Sequence, residues 1–131
     1  MKITIVVDAN PIISALIGGV SREVFFDHRF NFTTTNFTLQ EVKEYLPMIS
    51  EKSGVDVKKV SLALSLLPIT THPKSFYKNN IQKAEELIGP IDEKDVDILA
   101  LTLSKKSPLW SEDKDFELVQ GITLLKTKDL L

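Results

Sequence analysis

The stretch "ITIVVDANPIISALI", residues 3–17, decides the fold. Its first five residues are apolar or β-branched with no polar alternation, the pattern of a strand buried on both faces, as in a parallel sheet. Asn10 and Pro11 then read as a helix N-cap and first helical residue, and "IISALI" continues apolar. A strand running directly into a helix is half of a β-α-β unit. Between the two stands Asp8, a carboxylate set at the rim of the core with, on this reading, no capping task of its own.

Outward from there the chain alternates. A helical stretch opens at Ser21 in "SREVFFDH", and "NFTTT" (31–35) is a second strand. One helix is expected through "LQEVKEYLPMISEK" (39–52), stopped by Ser53 and Gly54, and another over 56–67, ended by Pro68. "ITTH" (69–72) is a brief strand or a connection. Residues 75–88 read as a helix closed by Gly89 and Pro90, residues 92–104 as another. "PLWS" (108–111) is a strand, 112–119 a short helix, and "ITLLK" (122–126) the final strand. Strands separated by helices predict an α/β fold, a three-layer α/β/α sandwich around a central, mainly parallel sheet of four to five strands.

The chain has 131 residues and no long polar linker, so we expect one domain over 1–131, burying roughly two thirds of its unfolded surface. No apolar run approaches the ~20 residues of a membrane helix. "MKITIVV" meets Asp8 too early to be the apolar stretch of a secretory signal. With no cysteine, disulfides and thiolate metal sites are excluded, and the expected setting is cytoplasmic. A net charge of −2 is not that of a generic nucleic-acid binder, so a polyanion would have to be held by local features.

Ligands of open parallel sheets collect at the carboxyl ends of the strands. Asp8 lies there, Asp113 follows the strand "PLWS", and Asp95 starts a helix over the same edge. Each acid alone has an ordinary reading. Asp95 could favour a helix dipole or complete a capping box begun by Asp92, and Glu41 fits the T-x-x-E capping box of "TLQE". Asp113 stands two residues after Ser111, the natural N-cap. A site role for Glu41 requires its helix to begin earlier, near Thr34 or Thr35. Asp97 lies about 200° round the helix from Asp95, so the two cannot point equally well at one ion. Carboxylates gathered in one hollow would repel unless a cation joined them. Oxygen ligands, with only His28 and His72 in scattered places, favour Mg2+ or Mn2+ over zinc.

"VVDANPIISALI", "LQEVKEYL", "DEKDVDILALTL" and "LWSEDKDF", in this order and over nearly the whole chain, resemble the PIN domain, a metal-dependent ribonuclease fold. The likeness is greatest to small prokaryotic PIN proteins related to toxins of toxin-antitoxin operons. By position in each motif, the resemblance implies that Asp8, Glu41, Asp95 and Asp113 are the acidic catalytic residues and metal ligands, with Asn10, Ser111 and Asp115 in support. Ser111 stands where Thr is commoner, and Asp97 is an additional acid. The implied activity is Mg2+- or Mn2+-dependent hydrolysis of RNA, leaving a 5′-phosphate and a 3′-hydroxyl. The implied partners are an RNA substrate, a cognate antitoxin and a second copy of the chain, the last in keeping with the apolar helix "VSLALSLL". The alternative is an inactive PIN scaffold that binds RNA or protein. A haloacid-dehalogenase phosphatase would want Asp where Asn10 stands, and no Walker-type glycine loop occurs.

Lys74, Lys78, Lys105, Lys106 and Lys114 are candidates for a phosphate path, although scattered lysines are more often solvated surface. Trp110 is expected to pack rather than stack a base. Phe25, Phe26, Phe30, Phe32 and Phe37 are expected in the core.

Overall fold

A computed structural model describes residues 1–131. Five strands form one sheet in the order β3-β2-β1-β4-β5, every neighbouring pair parallel. They are β1 (Ile3–Val7), β2 (Phe30–Thr35), β3 (Ile69–His72), β4 (Leu109–Trp110) and β5 (Leu124–Leu125). The chain starts in the middle strand, builds outward on one side, then returns to lay β4 and β5 on the other. The order therefore reverses between β1 and β4, where Val6 pairs with Leu109 and Val7 with Trp110, and a crevice opens at such a reversal.

The apolar run of β1 is divided between two cores by the pleat. Ile5 and Val7 join Phe25, Phe32 and Trp110 on one face, while Val6 joins Leu99, Leu109 and Phe116 on the other. Over the first face lie α1 (Ala9–Ile17), α2 (Ser21–Phe25), α3 (Asn36–Glu44), α4 (Leu46–Ser53), α5 (Val57–Leu66) and α9 (Thr127–Leu130). Over the second lie α6 (Lys74–Tyr77), α7 (Ile81–Ile88) and α8 (Val96–Lys105). This is the three-layer sandwich expected from the alternation of elements, and "ITTH" is a true edge strand.

Several element boundaries differ from the sequence expectation. The helix expected over 39–52 is two, α3 and α4, which part at Tyr45. Pro47 is the cause: it has no N–H for the carbonyl of Lys43, and its ring would clash there. The helix expected over 75–88 is also divided, with a 3-10 turn at Lys78–Asn80 between α6 and α7. Asn is a weak helix former, and here the Asn80 side-chain amide is engaged by Ser104 Oγ at 2.8 Å. The last strand is only two residues long because α9 begins at Thr127, where the Lys126 N–H donates to Asp129 Oδ2 at 2.8 Å.

The aromatics split as well. Phe25 and Phe32 are buried around the fully buried Trp110, with ring centroids 4.9 and 5.6 Å from it. Its indole N–H donates to Thr127 Oγ1 at 3.0 Å, so Trp110 packs, as expected. Phe26 and Phe37, in contrast, are exposed. Phe26 falls at the end of α2 as the chain turns away from the core, and Phe37 occupies the outer stripe of α3, opposite buried Thr38 and Val42.

Candidate metal centre at the carboxyl edge of the sheet

Asp8 is the residue at which β1 becomes α1. Its backbone N–H still belongs to the sheet, donating to Trp110 O at 3.0 Å. Its extended backbone and side chain cap α1, with Oδ1 accepting from Ala9 N at 2.8 Å. The cap thus falls to Asp8, not to Asn10. Helical geometry begins at once after β1, and Pro11 is tolerated in the first turn because N–H groups there have no helical partner. Asn10 instead accepts from the Glu112 N–H at 3.2 Å, tying α1 to the loop after β4.

That loop supplies the next residues. Ser111, fully buried, donates its hydroxyl to Asp8 Oδ2 at 2.7 Å and accepts from Asp113 N at 3.0 Å. Asp113, not Ser111, caps the 3-10 turn Lys114–Leu118, accepting from Asp115 N at 2.9 Å. The hydroxyl that looked like a cap is occupied in joining β1 to β4.

The opposing wall comes from the entry to α8. Asp92 accepts from Lys94 N at 3.0 Å and opens the 3-10 turn Glu93–Asp95. Asp95 makes no capping bond, is 7 % exposed, and its Oδ2 is buried without a hydrogen-bond partner. Asp97 turns to the other side of the helix and accepts from the hydroxyl of buried Tyr77 at 2.5 Å. Glu41 lies in the second turn of α3 because Thr35 is the cap, its Oγ1 accepting from Thr38 N at 2.8 Å. The T-x-x-E box beginning at Thr38 is therefore not formed.

Carboxylate oxygens of Asp92, Asp95, Asp113 and Asp115 lie within 4.8 Å of one another. Asp8 backs this group from the buried side, and Asp8, Asp113 and Asp92 all raise the proton affinity of Asp95. Burial is the larger cause there, and with these charges pushes the Asp95 carboxyl up to about 8. Asp8 is also raised, first by burial, against the lowering effect of its bonds from Ser111 and Ala9. Glu41 is raised by burial and by Asp8, with Lys94 opposing. Asp115 is raised by desolvation and by Asp113. Neither histidine joins the group: His72 ends β3 and stacks on Phe76 at 4.3 Å.

Of the acids anticipated, Asp95, Asp113 and Asp115 are thus drawn together, Asp8 is coupled by charge to Asp95 and Asp113, and Glu41 is coupled within this group only to Asp8 and Asp92. Asp92 was read only as a cap. Its signal was in the sequence: a separation of three residues in "DEKD" sets Asp92 beside Asp95 on one side of a helical turn. It both caps the turn and faces the cluster.

The donor set suits a hard cation. All the candidate ligands are oxygens, the orphaned Asp95 Oδ2 lacks a proton donor, and the mutual repulsion needs positive charge. Fold and site together define an α/β sandwich with a cluster of carboxylates at the sheet reversal. A family model for the PIN domain matches residues 6–131, and the chain belongs to that family. No curated protein sequence matches significantly. Among solved structures, the chain is similar to VapBC2 from Rickettsia felis bound to a DNA fragment from its promoter, at 13% identity and TM-score 0.66, covering 95% of this chain and 98% of that one. It is also similar to Mycobacterium tuberculosis VapC20, a Sarcin-Ricin loop cleaving toxin, at 16% identity and TM-score 0.58, covering 86% and 92%. At these identities the likeness is one of fold.

Proposed function

We propose that this protein is a Mg2+- or Mn2+-dependent endoribonuclease, the toxin of a toxin-antitoxin pair acting in the cytoplasm. The observation that carries the reading is the buried, unpartnered Oδ2 of Asp95, grouped with Asp92 and Asp113 and raised in proton affinity by Asp8 as well, an arrangement whose ionised form is costly unless a cation joins it. Asp95 and Asp113 would hold the ion with Asp8, Asp92 adding charge and Glu41 orienting the attacking water. Ser111 fixes Asp8, Asn10 fixes the loop that carries Asp113, and Asp115 closes the group on its outer side. When bound, a divalent ion would lower the pKa of water and neutralise the nonbridging phosphate oxygens. The chain's own part is to hold the carboxylates close together, so that a bound cation would keep them ionised beside a crossing RNA strand.

The likeness to VapBC2 and VapC20 supports the toxin reading and an antitoxin partner. A homodimer is supported by α5, which leaves Leu62 and Leu66 58 % and 68 % exposed beside buried Val60 and Leu64. The test is incubation of purified protein with structured and single-stranded RNA in Mn2+, Mg2+ or EDTA, with the product ends determined. We expect cleavage in either metal, 5′-phosphate ends, and loss of activity in EDTA and in Asp95→Asn. Metal-independent cleavage, or full activity in Asp95→Asn, would overturn it.

A further inference from the structure

Beside Glu41 the outer stripe of α3 forms one wall of a second hollow. Phe37, Gln40, Glu41 and Glu44 follow at i, i+3, i+4 and i+7 and so share one helix face. With Lys94 they line a cavity of about 170 Å3. Lys94 stands between Asp92 and Asp95, so the cavity and the acid cluster have a wall in common. Phe37 is 46 % exposed in it, although nothing in the fold requires an aromatic ring there: the same helix seats on the core through Thr38 and Val42. Whole-ligand pockets run to ~300–1,000 Å3; this one is of the size of a single ring system.

We infer that this hollow is a base-recognition subsite, which takes one unpaired guanine of the RNA next to the cleaved phosphate. The inference rests on the nuclease reading above. An exposed aromatic face is the platform on which unstacked bases settle. The polar lining selects among them. Glu44 is an acceptor and Gln40 offers one more, so the preferred edge is one rich in donors. Guanine presents adjacent ring N–H and exocyclic amino donors, which match the two oxygens of one carboxylate. Adenine and cytosine offer an amino group alone, and uracil would turn carbonyl oxygens towards the carboxylates. Lys94 at the rim suits the phosphate that follows the bound base.

The test uses fluorescein-labelled octamers of uridine carrying one central G, A, C or inosine, bound to the Asp8→Asn protein in Mn2+ and followed by anisotropy. The G octamer should bind about tenfold tighter than all-U RNA, the worth of one stacked, paired base. Inosine, lacking the amino group, should fall between. Phe37→Ala should abolish the advantage, Phe37→Trp should keep it, and Glu44→Gln should reduce G relative to U. In the active enzyme, cuts should lie next to G, and Phe37→Ala should raise KM for RNA while leaving kcat on bis(p-nitrophenyl) phosphate unchanged. Phe37 and Glu44 are exposed, so folding is retained, which melting curves check. Equal binding of all octamers, or an undiminished G preference in Phe37→Ala, overturns the subsite. RNA cut without base preference leaves the nuclease standing and removes the subsite, whereas G-selective binding lost in Phe37→Ala without any RNA cleavage does the reverse.

Discussion

Asp95→Asn should make the metal-free protein more stable while destroying its activity. The carboxyl is raised from 3.8 to about 8 by burial and by Asp8, Asp113 and Asp92. Between those values the folded chain holds a proton that the unfolded chain has released, so stability falls as pH rises through this window. At pH 7 the loss spans the interval from 3.8 to 7, which at about 1.4 kcal/mol per unit sets a ceiling of about 4.5 kcal/mol. Neighbouring carboxylates share the repulsion, so we expect about 2 kcal/mol to be recovered by replacing the titrating carboxyl with a neutral amide. For a chain of this length that is a rise in Tm of about 6–10 °C in EDTA. At pH 5 the corresponding ceiling is about 1.6 kcal/mol, and the two proteins should melt within a few degrees of each other. Excess Mn2+ should invert the order at pH 7, because wild type gains binding energy that the variant lacks. Thermal melts of both proteins at pH 5 and 7, with EDTA or Mn2+, measure all of this. An Asp95→Asn protein that melts below wild type at pH 7 in EDTA, or a difference unmoved by pH, would refute the reasoning.

Ser111→Ala removes the donor to Asp8 and the acceptor for Asp113 N, and should weaken Mn2+ binding by about tenfold in calorimetry. Ser111→Thr keeps the hydroxyl and should restore it. Asp8→Asn should lower RNA cleavage by at least about a hundredfold, read in a single-turnover assay. Tyr77→Phe leaves Asp97 without its buried donor and should cost about 1–3 kcal/mol by urea denaturation. Leu66→Glu, on the exposed stripe of α5, should convert a dimer to a monomer by light scattering while leaving the melting of the monomeric fold unchanged.

The sandwich was legible because Ile5–Val7 of β1 and most of α8 are buried, and an uninterrupted apolar run states as much without its partners. The breaks were harder. Pro47 was visible, yet the apolar residues either side of it gave a continuous helical pattern that hid the kink. The two-residue strands β4 and β5 are defined by their pairing with β1 and with each other, which a linear reading cannot display. At the site, Asp8, Asp95 and Asp113 could be found from their place after strands and before helices. The assignment of caps to Asn10 and Ser111 failed for one reason: a hydroxyl or amide one turn from a helix start can serve a distant strand instead. Only the pairing of β1 with β4 puts Ser111 next to Asp8. Asp92 was overlooked because one carboxylate has two oxygens, and naming a task for the first gave no reason to ask about the second.

The hydrogen bond from Ser111 to Asp8 joins residues 103 positions apart, the one at the junction of β1 and α1 and the other beyond α8. A chain interrupted before β4 has Asp8, Asp92 and Asp95 but lacks Ser111, Asp113 and Asp115. The group of carboxylates is therefore completed late and over a short stretch, by the few residues that bring the loop after Trp110 into place.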